Sequence, residues 1–165
     1  MKDVDCMSVA EDSINKIKEG AFLTAKSGNG LNTMIIGWAA FGIVWRKPIM
    51  MVAVRLSRHT FGIIEAAKDF TVTVPAGGME KEIAFCGSKS GREIDKAAAT
   101  GLNAFETSPG IVSFTQARLI IECQKIYYQD LDPQHFLDPT IEKAYPDRDY
   151  HRMYLGEVKR CLSRG

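Results

Sequence analysis

The chain has 165 residues, 45% hydrophobic and 25% charged, and its 21 basic and 20 acidic side chains leave a net charge of +1. That balance suits a single globular domain over residues 1–165 that buries its core without a metal or disulfide staple. It removes the broad electrostatic case for nucleic acid or an anionic membrane as partner.

Cys6, Cys86, Cys123 and Cys161 are spaced too widely for a CxxC signature and read as free thiols. There is no leader-like N-terminal pattern, and no apolar run reaches the ~20 residues of a membrane helix. The expected location is cytoplasmic.

In chain order, Val9 to Lys18 predicts a short helix and Ala21 to Ala25 a strand, followed by a turn at Ser27-Gly28-Asn29-Gly30. Met34 to Val44 and Ile49 to Arg55 predict two strands joined by Trp45-Arg46-Lys47-Pro48, with close backbone approach at the glycines of the first. Thr60 to Ala67 predicts a helix with Thr60 as N-cap. Phe70 to Val74 alternates as a strand and stops at Pro75 and Gly77-Gly78. Helices are expected at Lys81 to Phe85 and Glu93 to Thr100, the latter closed by Gly101. Ile111 to Ser113, Ala117 to Tyr128 and Tyr150 to Val158 predict the remaining strands, with an Asp- and Pro-rich loop from Asp130 to Asp149. Strands that do not alternate regularly with helices predict a mainly β fold, an antiparallel barrel of Greek-key type with peripheral helices.

No dinucleotide fingerprint or P-loop occurs, and His59, His135 and His151 lack metal-ligand spacing. Two segments carry the parts of an anion site. Arg55-Leu56-Ser57-Arg58-His59-Thr60 offers guanidinium forks, hydroxyls and a helix start, as a phosphate site or simply a capped helix beside solvated arginines. Phe85 to Arg92 interleaves Gly87, Ser88, Lys89, Ser90 and Gly91, either a backbone nest for an anion or a solvated loop. Cys86, beside an apolar neighbour and without a base, reads as an inert thiol. Asn32, Thr33, Met34 and Trp38 form a third region, where Trp38 stacks on a ring or fills the core. His151 faces either a ligand or a sheet surface or interface.

NTMIIGWAAFG at Asn32–Gly42, KPIMMVAVRLSRHTF at Lys47–Phe61, FCGSKSGREIDK at Phe85–Lys96, IECQKIY at Ile121–Tyr127 and DYHRMYLGEV at Asp149–Val158 resemble, in order, the blocks of the flavin reductase-like family, flavoredoxin included. The likeness spans about residues 18–160. It implies an FMN-binding split barrel that forms a homodimer with the flavin near the interface. By that resemblance Asn32, Thr33 and Met34 line the ring or ribityl side, and Gly37 and Trp38 pass beside the ring. Arg55, Ser57, Thr60, Ser88, Lys89 and Ser90 hold the ribityl chain and phosphate. The chain departs from the family pattern at Ile35 and Gly37, where hydroxyl residues are common.

The resemblance further implies an oxidoreductase in which FMN carries the chemistry, with NADH or NADPH as donor and no catalytic side chain assigned. Two other functions stay open: an electron carrier that keeps its FMN and serves a redox protein partner, and a non-enzymatic flavin-binding module.

Overall fold

The computed structural model describes residues 1–164. Eight strands form one antiparallel sheet: β1 (Lys2–Val4), β2 (Ala21–Ser27), β3 (Gly30–Ile36), β4 (Ala39–Val44), β5 (Lys47–Arg55), β6 (Asp69–Pro75), β9 (Ala117–Asp130) and β10 (His151–Ser163). Their spatial order is β3-β2-β6-β9-β10-β5-β4, with β1 added beside β10. β7 (Ala104–Ser108) and β8 (Ile111–Phe114) make a separate hairpin. The helices are α1 (Ala10–Ile17), α2 (His59–Ala66), α3 (Glu80–Ser88) and α4 (Lys96–Thr100).

The chain order explains the curvature. β3 and β4 lie at opposite ends of the strand order, yet only Gly37 and Trp38 separate them. Three Cα steps span at most about 11 Å, so the sheet must roll until its two edges meet. The result is a barrel split between β3 and β4, closed by a Greek-key return in which β10 comes back after the long 131–150 excursion and inserts between β9 and β5.

The interior strands β2 and β6 are buried on both faces and join Val52, Val54, Leu119, Ile121 and Tyr154 in the main core. Their threonines stay bonded. Thr71 Oγ1 donates to the Val112 carbonyl at 2.8 Å, and Thr73 and Ser113 hydroxyls meet at 2.7 Å, which fastens the β7–β8 hairpin over β6. The ladder between β9 and β10 shifts register at Leu155/Gly156 and again at Val158/Arg160. A Cβ on Gly156 would stand 2.5 Å from Phe70 Cζ and 2.7 Å from Cys123 Cβ, so the barrel bends where no side chain is tolerated.

Several elements differ from the sequence expectation. The single strand Met34 to Val44 is two, because Gly37 and Trp38 leave the sheet at the split. Helix α2 begins one residue early, with Arg58 rather than Thr60 as N-cap, since Thr60 is drawn inward by Asn32. α3 runs on through Ser88, so part of the expected nest is helix. α4 starts only at Lys96, where Asp95 caps it by accepting from Ala98 N–H at 3.0 Å. β1 and β7 had no sequence signal strong enough to place them.

The cysteines are corrected too. Cys6 and Cys161 form a disulfide, while Cys86 and Cys123 are free and buried. Pairing of Val4 with Cys161 along β1 and β10 brings positions 6 and 161 to a Cα separation of 5.3 Å across 155 residues of chain, a proximity that spacing cannot reveal. Among the described residues no helix is long and apolar enough to cross a membrane.

Candidate functional site

Two pockets meet beside the split. The first, about 190 Å³, lies between β3, the start of α2 and the end of α3 with the loop that follows it. The second, about 200 Å³, runs along Ile35, Ile36, Gly37 and Trp38 to Ala53, Arg55 and His151. Met34, Ile35 and Arg58 line both, so they form one trough. As a single trough they reach the lower end of the ~300–1,000 Å³ typical of small-molecule sites.

The charge in the first pocket is one-sided. Arg58, Lys89, Arg92 and Lys96 line it, and among the described residues no carboxylate lines either pocket. Arg92 Nη1 donates to the Ser57 carbonyl at 3.0 Å, which ties the 89–92 loop to the turn before α2. Helix α2 has no side-chain cap, so its first-turn N–H groups add partial positive charge to the same wall. Lys96 is only 6% exposed, and its Nζ donates to the Cys86 carbonyl at 2.8 Å in the last turn of α3. Burial lowers its pKa, and the charge on Arg58 adds to that. A buried cation facing another cation is stabilised by an anion between them. Burial also raises the Cys86 thiol, which keeps it protonated and inert.

The wall is built to close tolerance. Asn32 Nδ2 donates to Thr60 Oγ1 at 2.7 Å and joins β3 to α2. Gly91 packs on this joint; a Cβ there would lie 2.8 Å from Asn32 Cγ and 2.9 Å from His59 Cδ2. The second pocket is more apolar and more open, with Trp38 49% exposed at its rim. Register places His151 opposite Arg55 across β10 and β5, which delivers both to this cleft. The trough thus pairs a cationic end with a more open cleft of mixed apolar and polar lining, an arrangement that suits a ligand with an anionic tail.

Comparison with known proteins decides the family. The model for the flavin reductase like domain matches residues 19–164. The chain belongs to the flavin reductase-like family. Solved structures agree on the split-barrel fold. An FMN-binding protein from Thermus thermophilus with bound p-hydroxybenzaldehyde has a TM-score of 0.70 at 20% identity, over 88% of this chain and 71% of that one. Flavoredoxin from Methanosarcina acetivorans has a TM-score of 0.68 at 23% identity, over 88% and 68%. The styrene monooxygenase flavin reductase from Pseudomonas putida S12 has a TM-score of 0.62 at 16% identity, over 88% and 80%. No curated protein matches the chain in sequence.

In this flavin reductase-like chain most of the residues singled out in the sequence converge on the trough. Asn32, Met34, Ser57, Thr60, Ser88, Lys89 and Ser90 line the cationic end, and Gly37, Trp38 and Arg55 the more open cleft. Three stand differently from the expectation. Thr33 faces the core, where its hydroxyl receives from Thr24 at 3.0 Å and donates to the Leu23 carbonyl at 3.3 Å. Arg55 spends its guanidinium on the carbonyls of Ala144 at 2.9 Å and Asp149 at 3.2 Å, so it fastens the 131–150 excursion instead of lining the cationic end. Ser57 donates its hydroxyl proton to Asp149 Oδ2 at 2.5 Å. Arg58, Arg92 and Lys96 supply the charge in their place. Arg58 was visible as the second fork of RLSR; nothing in a lysine heading the helix KAAAT signals burial.

Proposed function

We propose that the chain binds FMN in this trough and works as an NAD(P)H-dependent flavin oxidoreductase. The observation that carries the reading is the cationic end itself: Arg58, Lys89, Arg92 and the buried Lys96, with no carboxylate lining it among the described residues, beside a more open cleft. A phosphate fits there, and riboflavin would leave Lys96 buried without an anion. Bound in the cleft, the flavin supplies hydride and electron transfer that no side chain can.

The residues then divide the work. Arg58, Lys89, Arg92, Lys96 and the first turn of α2 hold the phosphate, with Ser88 and Ser90 beside it. Asn32 keeps its amide on Thr60 and so holds β3 against α2. Met34, Ile35 and Gly37 form the floor of the cleft and Trp38 its rim. Ile35 and Gly37 bring no hydroxyl to the cleft.

Assembly as a homodimer is part of the proposal. Ile43 and Trp45 at the tip of the β4–β5 hairpin are exposed, and Trp45 lies 5.8 Å from Tyr127, next to exposed Ile126 and Tyr128. Such an apolar strip suits a self-complementary contact. A monomeric mass for the FMN-loaded protein in solution would refute it.

A second reading, prompted by the flavoredoxin among the structural relatives, is that the chain keeps its FMN and exchanges electrons with a protein partner. An anaerobic visible titration of FMN-loaded protein with NADH and then NADPH separates the two. Prompt bleaching of the oxidised band by either nucleotide supports the reductase; no bleaching, followed by full reduction with dithionite, supports the carrier. A chain that does not retain or bind FMN refutes both.

A further inference from the structure

Residues 1–18 form a strap along the barrel. They precede residues 19–164, the part that matches the family model, and so are an addition to the matched domain. Three attachments hold the first eight residues to β10. β1 pairs with its end, Lys2 opposite Ser163 and Val4 opposite Cys161. The Asp3 carboxylate accepts two bonds from the Arg160 guanidinium, at 2.5 and 3.0 Å. The Cys6–Cys161 disulfide is the third. β1 is only three residues long, and an exposed ion pair adds little to stability. Ordering residues 1–8 costs more conformational entropy than those two attachments offset. The disulfide therefore decides whether the strap lies on β10.

From that bond the strap leads to the cleft beside the split. α1 packs on β4 and β6, with Ile17 buried in the main core and Cys6, Val9 and Ile14 against the same cluster. No side chain caps its N-terminus, and its eight residues are too few for a helix to stand alone, so α1 depends on its docking. Just beyond α1, the Lys18 carbonyl lies 4.0 Å from where a Cβ on Gly37 would stand, and a Cβ on Gly20 would stand 3.3 Å from Ile35 Cγ2. Ile35 and Gly37 both line the cleft.

We infer that Cys6–Cys161 is a thiol–disulfide exchange site for a dithiol reductant, and that opening it frees the strap and loosens the hold on FMN, the last step alone resting on the flavin reading. Cys6 is part-exposed between exposed Asp5 and Met7, whereas Cys161 is buried, so the incoming thiolate attacks Cys6 Sγ. The Cys6–Cys161 bond breaks, and Cys161 leaves as a thiolate that takes up the proton lost by the attacking thiol. The second thiol of the reductant then attacks the mixed disulfide, closes the reductant's own disulfide and releases Cys6 as a thiol. The reductant loses two electrons and two protons, and the protein gains them. Cys86 and Cys123 are buried and take no part.

The test compares oxidised protein with protein reduced by dithiothreitol, using hydrogen exchange read by mass spectrometry. On reduction the protected amides within residues 2–8 exchange freely, while those of β6 stay protected. FMN binds the reduced protein about three- to tenfold more weakly, read by flavin fluorescence. Cys6→Ala matches the reduced wild type and no longer responds to dithiothreitol, and reoxidation of the wild type restores both protection and affinity. A disulfide that dithiothreitol leaves closed in the folded protein overturns the inference. So does a strap that stays protected once the bond is open, loss of protection in β6 as well, or FMN affinity unchanged after the strap is released. Exchange within residues 2–8 needs no flavin, so a chain that binds FMN in neither state refutes the flavin reading while release of the strap is still decided.

Discussion

Replacing Gly91 with alanine tests whether the cationic end is a built wall or a loose surface loop. The new Cβ would stand 2.8 Å from Asn32 Cγ and 2.9 Å from His59 Cδ2. One of the two must shift to admit it: Asn32 is buried and bonded to Thr60 at 2.7 Å, and His59 begins α2. Gly91 has no positive φ, so the cost is packing and not backbone strain. Overpacking of this kind costs about 1–3 kcal/mol. If Asn32 gives way, its hydrogen bond adds about 0.5–1.5 kcal/mol. We expect Gly91→Ala to lose about 2–4 kcal/mol in urea denaturation and to weaken FMN binding at least about tenfold, because the loop that carries Lys89 and Arg92 is pushed off α2. Gly87→Ala is the control. Its Cβ would lie 3.7 Å from Ile35 inside α3, and the helical propensity of alanine makes it neutral or stabilising by up to about 1 kcal/mol. A Gly91→Ala protein within about 0.5 kcal/mol of wild type, with FMN affinity unchanged, would refute the packing argument.

Three further predictions follow from other parts of the fold. Gly156→Ala drives a methyl between Phe70 and Cys123 at the β10 bulge and lowers stability by about 1–3 kcal/mol or more, measured by thermal or urea denaturation. Cys6→Ser, or reduction of the wild type, removes a link across 155 residues and costs about 2–5 kcal/mol, with no further loss when the variant itself is reduced. Burial, and then the charge on Arg55, holds the folded pKa of His151 at about 4 against 6.5 when unfolded, so its contribution to stability is complete above 6.5 and is lost as pH falls through that window. His151→Gln removes this proton linkage; its Tm relative to wild type should rise as pH drops from 6.5 to about 4, and parallel Tm profiles would contradict the assignment.

What was legible in the sequence follows from the range of the interaction. The strands around Phe70 to Val74 and Ala117 to Tyr128 announce themselves because their burial is local to each strand. The break at Gly37 and Trp38 was hidden, since it exists only because β3 and β4 are opposite edges of one rolled sheet. β7 is short and held as a hairpin whose partner strand is fastened by Thr71 and Thr73 of β6, bonds that no local pattern encodes. At the site, hydroxyl and cation clusters in the 55–60 and 88–92 segments pointed to an anion. They did not reveal which arginine serves it: Arg55 ends a strand and turns to the 131–150 excursion, while Arg58, three residues on, lines the pocket. Lys96 owes its surroundings to burial by distant elements, so it was not visible beforehand.

The most direct test is a calorimetric comparison of FMN and riboflavin binding to the wild type and to Arg58→Ala. If the cations around Lys96 form a phosphate site, wild type binds FMN at least about tenfold more tightly than riboflavin, and Arg58→Ala loses most of that preference while its riboflavin affinity stays the same. Equal affinities for the two flavins in the wild type, or a preference untouched by Arg58→Ala, would contradict it.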